Sequence, residues 1–300
     1  NLINVGKDEL DLRDQKATFE FFDLNKPDIV YLAAAKVGGI LANDLQSGEF
    51  IADNLAIQTN VITSAFNIGV KQLLFLGSSC IYPKYSPQPI KEEYLMTGSL
   101  EPTNEAYAVA KIAGLKLCEH FNRQFGKERC IDYRCVMPTN LYGPGDNYHP
   151  ENSHVIPGLI QRLHEAKVLN LAEVKVWGSG NPLREFLHVN DLANACVFLM
   201  QLPYEKFNKD KNNHSSHINV GSGEEFSILE LARLISNVVG YNGEIIFDRS
   251  KPDGTPRKVL DCSKLRATGW RPSIKFAQGI AQTYEQYLIE KGSEIEVTNG

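Results

Sequence analysis

The chain has 300 residues, 43% hydrophobic and 22% charged, with a net charge of −5 at neutral pH. That length buries a large core in one large domain or two of moderate size. Lys and Arg are scattered under an acidic balance and no apolar run approaches membrane-spanning length, so neither a nucleic acid nor a membrane is an expected partner.

Leu2-Ile3-Asn4-Val5 reads as a strand followed by the charged Lys7-Asp8-Glu9. That is the pattern of a dinucleotide fold's second strand, and neither GxGxxG nor GxxGxxG occurs. The expectation is that the first strand and its Gly-rich turn are absent from the sheet. A short helix is expected over 19–25, broken by Pro27-Asp28. Residues 29–35 read as a buried strand whose small end, with Ala33 and Ala34, lets a cofactor's ribose and phosphates come close. Helical periodicity runs over 50–68. Residues 70–76 are an apolar strand ending at Leu76-Gly77-Ser78-Ser79-Cys80, where a parallel strand's carboxyl end meets a loop. A helix over 105–125 carries Tyr107 and Lys111, and a strand over 131–137 stops at Pro138.

Strands alternating with helices imply parallel βαβ units with helices on both faces, an α/β, Rossmann-like doubly wound sheet. Beyond Pro138 the character changes. Residues 140–146 read as turns, 155–166 and 189–202 as helices, 174–177 as a strand, 206–216 as a polar loop and 217–220 as a strand returning to the main sheet. A helix over 226–239, a strand over 245–247 and a Pro- and Gly-rich loop over 251–258 follow. The expected organisation is a dinucleotide domain of residues 1–140 plus about 186–221. A smaller, discontinuous carboxyl-terminal substrate domain takes about 141–185 plus 222–300. The six cysteines show no CxxC pair and read as thiols of a cytoplasmic protein, with no metal site expected.

Tyr107 and Lys111 are spaced i, i+4, which stacks them on one helical face. A phenol titrates far above neutral, and an ammonium one turn away is expected to lower it. A serine at the strand end can polarise a substrate carbonyl. Together these groups move a proton while a cofactor moves a hydride. A YxxxK pair alone is a common helix face; Ser78 at a strand end upstream sets this one apart.

The serine, the YxxxK and Arg184-Glu185-Phe186-Leu187-His188-Val189 resemble extended short-chain dehydrogenase/reductases. More narrowly, Ala33-Ala34-Ala35-Lys36-Val37-Gly38-Gly39-Ile40 and Ser78-Ser79-Cys80-Ile81-Tyr82-Pro83 resemble the GDP-L-fucose synthase family. So do Met137-Pro138-Thr139-Asn140-Leu141-Tyr142-Gly143-Pro144, Asn152-Ser153-His154-Val155-Ile156-Pro157, Trp177-Gly178-Ser179-Gly180 and Lys251-Pro252-Asp253-Gly254-Thr255-Pro256-Arg257-Lys258. That resemblance implies conversion of GDP-4-keto-6-deoxy-D-mannose to GDP-L-fucose by epimerisation at two ring carbons and reduction of the ketone with NADPH. A homodimer through the helices over 50–68 and 105–125 is likewise implied.

The resemblance makes Cys80 and His154 the proton-transferring pair, Tyr107 the donor to the reduced oxygen and Ser78 the group that polarises the ketone. Lys111 tunes Tyr107 and binds the nicotinamide ribose, and His154 also borders the cofactor. Leu76, Gly77, Ser78, Ala33 and Ala34 are expected along NADPH, with Pro138, Thr139, Asn140 and Leu141 lining the nicotinamide. Asp11 and Leu12 are expected at its adenosine end. Lys7, two positions past the first strand-like segment, suits a 2′-phosphate, although Asp8 is a competing signal and a solvated turn lysine serves as well. Asn140, Arg162, Trp177, Arg184, Asp253 and Lys258 match the family's GDP-sugar contacts, the arginine fork being suited to a diphosphate. On residue chemistry alone Trp177 is equally a core aromatic and Lys258 a solvated loop lysine. The other readings are a related sugar-nucleotide epimerase or dehydratase, which places other residues at Cys80 and His154, and a non-catalytic sugar-nucleotide binder.

Overall fold

A computed structural model describes residues 1–150, 153–208, 217–250 and 253–298. Asn152, Lys251 and Pro252 of the motifs above, and 209–216 of the expected polar loop, lie outside the described residues. The chain divides into two compact units. The first comprises Asn1–Ser86, Lys91–Pro138 and Ala195–Val220; the second comprises Pro87–Ile90, Thr139–Asn194 and Gly221–Gly300.

In chain order the first unit contributes α1 (Gln15–Asn25), β1 (Ile29–Leu32), α2 (Ile40–Leu45), α3 (Ser47–Ile68), β2 (Gln72–Leu76), α4 (Glu105–Arg129) and β3 (Asp132–Pro138). The second continues with β4 (Asn140–Tyr142), α5 (Val155–Val168), β5 (Glu173–Trp177) and β6 (Leu183–His188). Helix α6 (Val189–Gln201) starts in the second unit and ends in the first, which also holds α7 (Tyr204–Phe207) and β7 (His217–Val220). The second unit closes with β8 (Glu225–Ser227), α8 (Ile228–Val239), β9 (Glu244–Asp248), β10 (Arg257–Lys258), α9 (Ser263–Ala267) and α10 (Phe276–Thr298).

In the first unit β1, β2, β3 and β7 form a parallel sheet in that order. It is a Rossmann-like α/β arrangement. Leu73, Leu74, Phe75, Tyr133, Cys135, Val136 and Met137 are almost wholly buried along β2 and β3, as apolar runs in a covered parallel sheet should be. Asp14 caps α1 by accepting from the Ala17 N–H at 3.0 Å. Helix α3 stops at Gly69, whose φ of +86° suits a residue without a Cβ. Asn54 on α3 is 2% exposed and brackets the main chain of Lys36, donating to its carbonyl and accepting from its N–H, both at 2.9 Å.

Several expectations need correction. Leu2, Ile3 and Val5 are exposed and form no strand, because no strand among the described residues pairs with their N–H and C=O groups. Nor is the missing first strand borne out as a gap in the sheet; the four strands from Ile29 to Val220 pair side by side without a break. Strand β1 is shorter than expected and not buried throughout, since Leu32 packs inward while Ile29 and Tyr31 are exposed. Pro138 ends β3 as its last paired residue, opposite Val220, instead of stopping it one residue earlier.

In the second unit β6 is the hub of a sheet ordered β10-β6-β4, with β8 antiparallel on β6, and β5 pairs with β9. The turn expected at 140–146 begins with β4, and β6, β8, β10, α9 and α10 had no counterpart among the expected elements. A core of Tyr142, Ile156, Leu159, Phe186, Leu231, Ile235 and Tyr287 holds α5, α8 and α10 on these strands. Helix α8 opens with a capping box, Ser227 and Glu230 each satisfying the other's N–H.

Candidate active site

The carboxyl end of β2 carries the first unit's chemistry. Gly77 extends the ladder by donating to the Val136 carbonyl at 2.9 Å, and a Cβ there would lie 2.2 Å from the Met137 sulfur. Only glycine fits this approach. Ser78 follows in an extended conformation and caps the 3-10 turn at Ser79–Ile81, its Oγ accepting from the Cys80 N–H at 3.4 Å. Cys80 is 8% exposed. The turn is anchored past its end by Tyr82, whose hydroxyl donates to Asn219 Oδ1 at 2.5 Å and lies 2.9 Å from His217 Nε2.

Helix α4 brings Tyr107 and Lys111 to this turn. The Lys111 ammonium is buried, donates to the Leu76 carbonyl at 2.8 Å and sits 4.9 Å from the Phe75 ring centre and 5.7 Å from that of Tyr107. Burial depresses Lys111 to about 8. Tyr107 packs edge-on against Phe50 at 6.4 Å, and burial, then electrostatic repulsion from Cys80, pushes its phenol well above the ordinary value. The expected lowering by the lysine is therefore reversed. Both charged forms lose hydration, and the ammonium spends a hydrogen bond on Leu76.

Around this centre, Ala33 and Ala34 are exposed at the carboxyl end of β1, beside β2 in the sheet. Pro138 ends β3 on β2's other side. At the amino end of the unit, Leu12 is pinned through its carbonyl by Asn60 Nδ2 at 2.9 Å. The Asp11 carboxylate accepts from the Arg13 side chain and N–H, which with a smaller contribution from Lys7 holds it down at about 2. Lys7 itself is exposed.

The second unit holds the remaining expected residues. Thr139 Oγ1 and Asn140 Nδ2 both donate to the Glu185 carbonyl at 3.1 Å, and Leu141 pairs with Leu187 in the sheet. His154 is exposed at the amino end of α5, its carbonyl accepting the Gly158 N–H at 3.0 Å. Arg162 is lowered by burial and donates to the Gly158 carbonyl at 3.0 Å. Trp177, at the end of β5, is 70% exposed, which removes the core-aromatic reading. Arg184, also lowered by burial, faces the opposing charge of Asp253 and stands in register beside Lys258 across β6 and β10. Asp253 accepts from Ser179 N–H and Oγ at 2.8 and 2.7 Å and is lowered by them. Its carboxylate thus fastens the loop carrying Ser179.

Sequence reasoning passed over Asn54, Tyr82 and Glu185. The last carried a signal, an acid directly ahead of the apolar Phe186-Leu187, and it is wholly buried.

A serine and a tyrosine-lysine pair at the carboxyl end of a parallel α/β sheet are the groups of a dehydrogenase/reductase-type site. The family model "NAD dependent epimerase/dehydratase family" matches residues 4–221. GDP-L-fucose synthase of Escherichia coli (strain K12) is 55% identical over 287 residues, covering 96% of this chain and 88% of that protein. Among solved structures, a GDP-L-fucose synthetase from Naegleria fowleri bound to NADP superposes with a TM-score of 0.85 at 31% identity, covering 97% of this chain and 86% of that one. A GDP-mannoheptose C4 reductase from Campylobacter jejuni with NADP bound gives 0.86 at 37%, covering 96% and 90%. The chain belongs to the NAD dependent epimerase/dehydratase family and, within it, to the GDP-L-fucose synthases.

Proposed function

We propose that the protein converts GDP-4-keto-6-deoxy-D-mannose to GDP-L-fucose with NADPH. The observation that carries this reading is Tyr107 and Lys111 set by α4 against the turn that bears Ser78 and Cys80. The first unit suits a nicotinamide dinucleotide. Ala33 and Ala34 are small and exposed at a strand's carboxyl end, and Lys111 offers a held cation to a ribose. Lys7 suits the 2′-phosphate, and Asp11 and Leu12 the adenosine. When bound, NADPH supplies the hydride that reduces the ketone.

The 4-keto group acidifies the hydrogens on both neighbouring carbons, so a base on one face and an acid on the other exchange them. At each carbon in turn Cys80 takes a proton from one face and His154 supplies one to the opposite face, and both groups are reset by proton exchange with water. Ser78, whose Oγ already accepts from the Cys80 N–H, keeps its hydrogen to donate to the ketone oxygen. Tyr107, held neutral by burial, donates its proton to the oxygen as it is reduced. Arg162, Arg184 and Lys258 take the diphosphate, and Trp177, with its face to solvent, takes the sugar or base. The homodimer through α3 and α4 belongs to the same reading, and a sedimentation mass of one chain would remove it.

Reduction without epimerisation is the second reading, favoured by the likeness to a C4 reductase. Deuterium wash-in on the 4-keto substrate in heavy water, with NADPH omitted, tells them apart. The proposed enzyme exchanges hydrogen at both carbons beside the ketone, and Cys80→Ser slows that exchange because a hydroxyl is a far weaker acid than a thiol. Absence of wash-in by the natural protein reduces the activity to ketone reduction alone.

A further inference from the structure

Strand β6 places Arg184 and Glu185 on opposite faces, as successive strand residues must be. Glu185 turns inward and is wholly buried. Its carboxylate accepts two main-chain N–H groups from two separate segments, Gly223 at 2.7 Å on one oxygen and Leu260 at 2.9 Å on the other. Its own carbonyl accepts from Thr139 and Asn140. The surroundings are shaped for this carboxylate. A Cβ at Gly221 would lie 2.2 Å from Glu185 Oε1, and Gly223 holds a φ of +80° while presenting its N–H. Leu260 lies two residues past Lys258, which stands opposite Arg184 in the sheet. Burial pushes the Glu185 carboxyl above its ordinary value, and the Leu260 and Gly223 N–H groups favour its charged form against that cost.

We infer that Glu185 is a positioning residue for the GDP-sugar site, its carboxylate tying the 221–223 loop and the 258–260 segment to β6 so that Lys258 and Arg184 present their cations together. The inference rests on the proposed function, because it takes Arg184 and Lys258 as the diphosphate contacts. Gln88 and Ile90 also hold this segment, through Val259 N–H and carbonyl and the Asp261 N–H. The segment therefore stays folded on the unit when Glu185 is changed, and what slips is its alignment with Arg184.

Glu185→Gln is the test. An amide offers one acceptor oxygen where the carboxylate offers two, so one of the two N–H groups meets an NH2 instead. Gly221→Ala is the independent second variant, since its Cβ pushes the carboxylate aside without removing it. Dissociation constants for GDP and for NADPH are measured by calorimetry on the full chain, with KM and kcat for the 4-keto substrate and the thermal midpoint alongside. The expected result is GDP binding weakened tenfold or more in both variants, a matching rise in KM, and NADPH binding and kcat within about twofold of the natural protein. A purely structural role lowers the midpoint and weakens both ligands alike, and that outcome overturns the inference. So does unchanged GDP affinity in either folded variant. If the natural protein fails to bind GDP, the proposed function falls first, and the inference falls with it.

Discussion

Tyr107 and Lys111 illustrate how little a spacing says about a proton. The i, i+4 relation places the two side chains on one face of α4, but the helix buries that face and the desolvation of each charged form outweighs their mutual effect. A phenol kept neutral is a proton donor, which is what ketone reduction asks of it. Tyr107→Phe removes that donor and keeps the edge-on packing against Phe50. NADPH oxidation with the 4-keto substrate is expected to fall by about 10²–10⁴-fold, the usual worth of a positioned general acid. The unfolding midpoint should stay where it is. A variant that turns over at the natural rate removes Tyr107 from the reaction, whatever its distance from Lys111.

Among the elements, the pairing of α3 with α4 governs where Lys111 sits. Gly114 on α4 lets the helix close onto its neighbours. A Cβ there would come within 2.5 Å of Phe75 and 2.7 Å of the Gln58 side-chain oxygen. Gln58 on α3 meanwhile donates to the Ala110 carbonyl at 2.6 Å, so it cannot move away cheaply. Alanine normally gains about 1 kcal/mol over glycine inside a helix. Here overpacking costs about 1–3 kcal/mol and wins. Gly114→Ala is therefore expected to lower the urea midpoint without changing the slope. Because Phe75 is also the ring beneath the Lys111 ammonium, activity should fall with stability. A more stable variant would show that α4 has room at this position.

For the whole molecule, what could be read in advance depended on how each unit makes its sheet. The first unit's β2 and β3 are apolar runs with turn residues after them, and alternating helices announce a parallel sheet. The second unit is built on β4, β8 and β10, strands of two or three residues, and on β6, which carries Arg184 and Glu185 in its middle. No periodicity marks such strands, and only the partners that Glu185 finds after folding explain an acid there. The candidate-site residues were legible as motifs, but the protonation of Tyr107 and Lys111 was not, because burial is a property of the folded chain. That burial has a consequence for stability. Lys111 falls from 10.5 in an exposed state to about 8 in the fold. Between those values the unfolded chain binds the proton and the native chain does not, so stability rises with pH across this window. Below about pH 8 both states are protonated, and the native state bears the cost of a buried ammonium, about 3 kcal/mol for a shift of this size. Lys111→Met removes the titrating group and keeps the apolar stem. The difference in unfolding free energy between the variant and the natural protein should then be largest near neutral pH and shrink as pH climbs from 8 towards 10.5. Urea titrations across that range test it, and a difference that stays flat with pH would mean that Lys111 holds its proton in the fold as firmly as it does in water.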